Sequence, residues 1–484
     1  MTFQERFLSL TFPLTTLAAA LVLAGCSLAP KVPEPEITVP AAFKQAAPAE
    51  GQWKPAVPAE AAARGAWWSV FGDSRLDALE AQAEKANPTL ALAASRVRAA
   101  RATLSGAQAG RWPTLGLNAG ASRARSAPAT LGLPDGAAVT PSTVYQAGLG
   151  ARYEIDLFDR VGNGVAAARA DAQGVEASYR SVLLALQADV AQTYFALRTL
   201  DAELAQLDAT LGLRTENNRL IERRFSAGAV AEFDVARSRT ELATVQAERA
   251  ALAGQRARTE HALALLLGQA PASFSLDVAP LLAAEKVPEV PAGVPSALLE
   301  RRPDVTAAQR SLAAATARVG VARSAMFPAL ALTAEGGHAS SELENLFKWS
   351  SRAWLASVVF SLPILDGGRN KAVVEQTEAQ LDGAVASYRG TVLSAFADVE
   401  DNLANLKAVR EQVRHVDEAL VSARRAAELA DKRYRAGEDS YLQLLDTQRD
   451  LLSVERQAVR LRGGWATGTV ALIRSLGGGW VAPQ

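Results

Sequence analysis

The chain of 484 residues has a single cysteine, three histidines and no net charge. One cysteine excludes a disulfide framework and any cysteine-cluster metal site. His261, His338 and His415 lie far apart, and no HExxH or related spacing joins them, so the usual metalloenzyme patterns are missing. Equal numbers of acidic and basic residues argue against a nucleic-acid binder, which carries a basic excess. Gly477-Gly478-Gly479 is not a phosphate loop, because no strand precedes it and no Lys-Ser/Thr follows. No Ser-His-Asp set has a supporting context. The expectation is therefore a protein that is not an enzyme. Half the residues are apolar, which is ample material for a core.

Arg6 precedes an apolar run from Phe7 to Leu23 that is too short for a membrane span with flanks. The run ends in Leu23-Ala24-Gly25-Cys26, which resembles the bacterial lipobox, with residues 1–25 as a lipoprotein signal peptide. The resemblance implies that Cys26 is diacylated. That covalent lipid is the only cofactor expected. Ser27 after the cysteine resembles the outer-membrane sorting pattern. Residues 26–60 are proline-rich with few large apolar side chains, the composition of an extended strap.

The remainder repeats itself. Asn87-Pro88 is matched by Arg302-Pro303, and at the same offset Pro113 meets Pro328. Ala177-Ser178-Tyr179-Arg180 recurs as Ala386-Ser387-Tyr388-Arg389, and that second offset holds from there to Leu267-Gly268 and Leu476-Gly477. It also superposes Arg224-Phe225-Ser226-Ala227-Gly228 on Arg433-Tyr434-Arg435-Ala436-Gly437. Two repeats of about 200 residues follow, at 61–270 and 296–477, with a linker at 271–295 that is proline-rich from Val287 to Pro295, and a tail at 478–484.

Each repeat reads mostly as long helix. Leu183, Leu186, Val190, Tyr194, Leu197, Leu200, Leu204, Leu207 and Leu211 recur about every 3.5 residues, the heptad seam of a coiled coil. Val392, Ala395, Val399, Leu403, Leu406, Val409, Val413, Val416 and Leu420 repeat the seam. A helix from about Gly164 to Phe225 would be roughly 90 Å long, far beyond a globular average. Gly228 ends it and a second helix returns from about Phe233 to Leu267. Gly437 does the same in the second repeat.

Between the helices the period changes to two. From Tyr145 to Leu157 the odd positions are apolar, and every charge falls on an even one. At that length the segment resembles a transmembrane β-strand, apolar to lipid and polar to the lumen. Its partner starts at Thr114, after Pro113, and runs to about Ser122. The second repeat offers Ala329 to Ala339 and Trp354 to Leu362, with weaker alternation. Long loops of small and polar residues lie between, at Arg123 to Thr143 and Ser340 to Ser351. Four strands cannot close a barrel, and open edges are excluded from hydrocarbon. Two copies would give a filled barrel, and three copies a twelve-stranded barrel with a lumen. If the barrel is a conduit, three copies are the smallest solution, and the fold class expected is mainly α with a transmembrane β-barrel: two tandem repeats, a trimeric twelve-stranded barrel and a long α-helical barrel continuing from it, which the family resemblance below places in the periplasm.

Trp67-Trp68, Phe71, Asp73, Leu76, Leu79 and Asn87 resemble the opening of outer-membrane efflux proteins of the TolC/OprM type. The two hairpin tips, Leu365-Asp366-Gly367-Gly368 and Tyr441-Leu442-Gln443-Leu444-Leu445-Asp446 extend the match from about residue 60 to 477. The lipobox points to the NodT-like lipoprotein branch. The resemblance implies a passive, trimeric exit duct in the cell outer membrane, lipid-anchored and extending into the periplasm. It would export small molecules such as drugs, with a periplasmic adaptor and an inner-membrane pump, commonly a proton-driven one of the RND type. It places a periplasmic gate at Leu442 and Asp446, an i, i+4 pair on one helix face. Asp234 and Tyr434 match partners that link the hairpins when closed, and Ala227, Gly228, Ala436 and Gly437 match adaptor-docking tips. The chain departs from the family pattern at Gln443 and Asp439. The alternatives are a duct for protein secretion and a non-channel coiled-coil adaptor lipoprotein. In the latter, Leu442 would be a seam residue and Asp446 a solvated charge.

Overall fold

The computed structural model describes residues 27–33, 39–40, 42–45, 65–280 and 301–478. Cys26, the leader before it, much of the strap, the Val287 to Pro295 linker and residues 479–484 lie outside the described residues. The first repeat contains α1 (Ser74–Ala86), α2 (Pro88–Ala109), β1 (Thr114–Ala124), β2 (Ser142–Ile155), α3 (Arg160–Ser226) and α4 (Glu232–Leu266). The second contains α5 (Pro303–Ser324), β3 (Ala329–Ser340), β4 (Arg352–Ser361), α6 (Arg369–Ala436) and α7 (Tyr441–Ser475). The repeat is visible in the lengths: α2 and α5 have 22 residues each, α3 and α6 have 67 and 68, and α4 and α7 have 35 each. The mainly α fold with four strands is as the two periodicities require.

The two compact units of the chain are not the two repeats. Among the described residues, one is drawn from the stretches 27–33, 98–174 and 308–388, the other from those between 39 and 97, 175 and 307, and 389 and 478. Each repeat contributes to both.

The first unit holds one antiparallel sheet in the order β1-β2-β3-β4. Leu117 pairs with Leu149, Leu149 with Gly336, and Gly336 with Trp354, so one face is set across all four strands. A slip of one residue would turn every side chain to the other face. Gly148 faces Gly337 across the β2/β3 pair, and a Cβ on Gly337 would run into the backbone of Ala147. Strand β2 stops at Ile155, two residues short of the alternating pattern, because Asp156 is taken by the next helix. Its carboxylate accepts from the amides of Val161 (3.1 Å) and Gly162 (2.7 Å) at the start of α3. Asp366 repeats the device, accepting from Gly368 (2.9 Å) and Asn370 (3.0 Å) before α6, and these amides hold its pKa below the ordinary carboxylate value. Leu312, Ala315, Val319 and Leu381 pack α5 on α6. In the same unit the Ser27 hydroxyl donates to the Asn163 side chain at 3.2 Å.

The second unit is built on the heptad seams, and no seam residue of α3 is exposed. Its main core joins Trp67, Leu76 and Leu79 to Leu186, Val190, Leu197, Leu263 and Ile473. The Trp67 indole donates to Gln187 at 3.1 Å, which removes the cost of burying an N–H. Asp73 caps α1 through the amides of Arg75 and Leu76 and also receives the Tyr194 hydroxyl. Asn87 accepts from Leu90 N (3.0 Å) and donates to Leu266 O (2.9 Å), fastening the α1–α2 corner to the end of α4. These contacts give a structural reason for the Trp-Trp…Asp…Asn opening.

A buried charge cluster fixes the segment after α4. The fully buried Asp201 accepts from Arg198 (3.1 Å), Arg256 (2.7 Å) and the amide of Ala279 (3.0 Å). The two arginines also donate to the carbonyls of Asp277 and Leu276, at 2.7 and 2.8 Å.

Candidate functional site

The hairpin ends follow from two glycines. Gly228 and Gly437 have φ of 75° and 79°, a left-handed conformation that a β-carbon disfavours. Each closes its helix in the same way. Ala229 N donates to Arg224 O and Glu438 N to Arg433 O, at 2.8 and 2.9 Å. The return helices start differently. Ser440 caps α7 by accepting from Gln443 N, whereas Ala231 before α4 has no capping side chain. Glu232 and Asp234 in the first turn of α4 put negative charge at its positive end.

Leu442 and Asp446 lie one turn apart on α7. Leu442 is 45% exposed and the Asp446 side chain 52%, while Leu444 and Leu445 between them are buried. The pair therefore shares the face of α7 turned away from the packed seam. Asp446 is not alone there: Arg237 of α4 lies 4.0 Å away and Arg449 of α7 3.5 Å away. Arg449 is held in turn by Glu241 of α4 through a two-point hydrogen-bonded ion pair, which raises its pKa. Two acids and two bases thus meet beside Leu442. Seven residues on, Arg456 pairs with Glu248 at 2.8 Å, and Arg460 with Glu203 at 2.9 Å. These ties lace α7 to α4 and α3 along the hairpins. The sequence does not mark these positions because the ties from α7 to α4 and α3 each span more than 200 residues; the signal available was the seven-residue recurrence of Glu241/Glu248 and Arg449/Arg456.

Tyr434 and Asp234 are not joined to each other. The Tyr434 hydroxyl accepts from Arg224 at 3.1 Å, and the guanidinium lies 5.8 Å from the ring centroid, so this tie between the hairpins is made by an arginine of α3. Asp234 is half-buried and pairs with no cation among the described residues. Asp439 pairs with Arg433 of its own hairpin at 3.1 Å. Nearby, Arg214 donates to Gln448 at 2.8 Å, and burial lowers its pKa.

Long paired helical hairpins, joined in one chain to a small sheet with an exposed apolar face, define a class of channel-forming membrane proteins. The family model for outer membrane efflux proteins matches residues 79–269 and 294–478. The solvent efflux pump outer membrane protein SrpC of Pseudomonas putida is 35% identical over 472 residues, covering 96% of this chain and 98% of its own. The outer membrane protein OprJ of Pseudomonas aeruginosa is 35% identical over 476 residues, covering 97% and 96%. The structure of the outer-membrane channel OprN superposes with a TM-score of 0.84 at 31% identity, over 94% of this chain and all of that one. The chain belongs to the outer membrane efflux protein family, whose members are efflux ducts. It is an outer-membrane component of an efflux system.

Proposed function

We propose that three copies of this chain form a passive exit duct across the outer membrane and the periplasm. The observation that carries the reading is the unclosed sheet. On one face Leu115, Leu117, Trp354 and Val358 are 71%, 74%, 83% and 67% exposed, and β1 and β4 have free edges. Such a face fits hydrocarbon, but free edges do not, because nothing in the bilayer core pairs their backbone groups. Three four-stranded sheets joined edge to edge leave no free edge and enclose a lumen, lined by Asn118, Gln146, Arg152 and Glu335. Among the described residues no helix is long and apolar enough to cross a membrane, so the sheet supplies the membrane element of this reading.

The helical hairpins lead to the periplasmic end of the duct. There Leu442 narrows the passage by its bulk and Asp446 supplies charge, with Asp234 and Tyr434 at the contacts between hairpins. The tips at Ala227, Gly228, Ala436 and Gly437 receive a periplasmic adaptor, which couples the duct to an inner-membrane pump of the RND type. The duct supplies a gated path and the pump supplies the energy. Acyl chains on Cys26 add an anchor in the outer membrane. The cargo is small apolar or amphipathic compounds such as drugs, a class to which the solvents named for SrpC belong. Purified protein in planar bilayers tests the reading: it should give single-channel conductance from a species of three chains. A monomer that inserts without conducting would overturn it and favour the adaptor class.

A further inference from the structure

The charges of the sheet are sorted by sign, by face and by height. Glu154, Glu335 and Arg152 lie on the inner face, where Glu335 is opposite Gly150 and Arg152 opposite Thr333. The outward, apolar face carries no acidic residue in any strand. Its basic residues are Arg123, His338 and Arg352. Arg123 is the penultimate residue of β1, His338 is near the end of β3, and Arg352 opens β4. All three sit at the end of the sheet bearing the loops, opposite the end that runs into the helices.

Aromatic residues flank Arg352 and His338. Arg352 lies over the Trp349 ring and donates from Nε to Trp349 O at 3.2 Å. His338 packs edge-on against Phe347, with centroids 5.6 Å apart. Phe347, Trp349 and Trp354 are 74%, 79% and 83% exposed. Trp and Tyr concentrate where hydrocarbon meets headgroups. A guanidinium at that height meets phosphate, for which its planar fork is shaped. An outward face that is apolar along the strands, aromatic at the loop end and exclusively cationic there matches one neighbour by charge: a lipid leaflet with anionic phosphate headgroups.

We propose that Arg123 and Arg352 form a binding site for the phosphorylated headgroups of outer-leaflet lipid. The site rests on the trimeric reading above. Arg123 stands on one edge strand and Arg352 on the other, so closing the barrel brings Arg352 of one copy to the same seam as Arg123 of the next. Each trimer then has three such seams, and lipid phosphate bridges them from outside. Arg152, on the inner face, takes no part.

The test uses purified trimers in phosphatidylethanolamine vesicles with or without a one-fifth fraction of bisphosphorylated lipid A, followed by detergent extraction and native mass spectrometry. The unsubstituted protein should retain lipid A. The Arg123→Gln, Arg352→Gln variant should bind it about thirtyfold more weakly, about fivefold for each cation held against an anionic surface. Arg152→Gln should match the unsubstituted protein. Enzymatically dephosphorylated lipid A should be retained no better by the unsubstituted protein than by the double variant. Equal retention by the double variant, equal loss in Arg152→Gln, or unchanged retention of the dephosphorylated lipid would overturn the proposal. Absence of any trimer in the unsubstituted protein would instead overturn the duct reading on which the site rests.

Discussion

Asp446 stands beside Arg237 and Arg449, and Glu241 completes the group, so the four side chains balance in charge within one copy. Removing Asp446 alone leaves one positive charge in excess per copy. In a threefold ring three such excesses face one passage, and their field acts over about 8 to 10 Å at ordinary salt. Asp446→Ala is therefore expected to lower cation selectivity and weaken block by divalent ions, read from reversal potentials in single-channel recordings. Leu442→Ala removes bulk without charge and should raise resting conductance with selectivity unchanged. A double variant with unaltered conductance, selectivity and block would remove both residues from the gate. Glu80 of α1 makes the stability of the fold depend on pH. It is 1% exposed, both oxygens lack a hydrogen-bond partner among the described residues, and burial, with Glu84 and Asp77, pushes its pKa up to about 9. The folded protein thus holds a proton that the unfolded chain releases near 4.5. Its favourable contribution is complete below that value and is lost as pH rises through about 9, by up to about 1.4 kcal/mol per pH unit. Glu80→Gln should flatten the fall of thermal stability between these limits, measured by melting curves across pH. An identical pH slope in the variant would show that Glu80 titrates normally.

At the scale of elements, the strands, hairpins and long helices follow from local pattern, and their ends follow from single residues. Strict alternation gives β2, and Asp156 ends it two residues early by turning to the amides of α3. The heptad seam gives α3 and α6, and Gly228 and Gly437 end the turns that follow them. The Asp201 cluster is of another kind. It ties α3, α4 and the segment at 276–279 through one fully buried carboxylate. Asp201→Ala would leave Arg198 and Arg256 buried without their anion. Breaking such a group by removing one partner costs about 3–5 kcal/mol. The expected outcomes are a lower melting temperature and earlier proteolytic cleavage after Leu276. Replacing Glu428, which pairs with Arg425 and Lys432 on the exposed surface of α6, should change neither by comparison, since surface ion pairs contribute about 0–1 kcal/mol. Equal effects of the two substitutions would deny the cluster its structural role.

For the whole molecule, the question is what keeps it in the membrane. One or two acyl chains, as proposed for Cys26, would add affinity but far less than a spanning element. Cys26→Ser, exported through a non-lipoprotein signal, should still be recovered as trimers in the outer-membrane fraction. Recovery only as soluble periplasmic protein would contradict the barrel reading. The compact units also belong to this scale. Each draws on both repeats, so neither half of the chain contains a whole unit, and the halves expressed separately should not fold alone.

What depends on neighbours along the chain could be read without a fold: the two periodicities, the doubled order of elements, the glycine tips, and the shared face of Leu442 and Asp446. Side chains three or four positions apart on a helix, or two apart on a strand, meet wherever that element forms, so their pattern is legible without a fold. It took the packing of elements to bring Arg237 and Glu241 to Asp446 and Arg449, to give Tyr434 Arg224 rather than Asp234, to bury Glu80, and to keep the cations of the outward sheet face at the loop end. Each of those facts depends on residues of different elements, up to 210 positions apart in the chain. Which of many equivalent arginines and carboxylates meet there is set by helix rotation and strand register, and many sequences share the same pattern while differing in both.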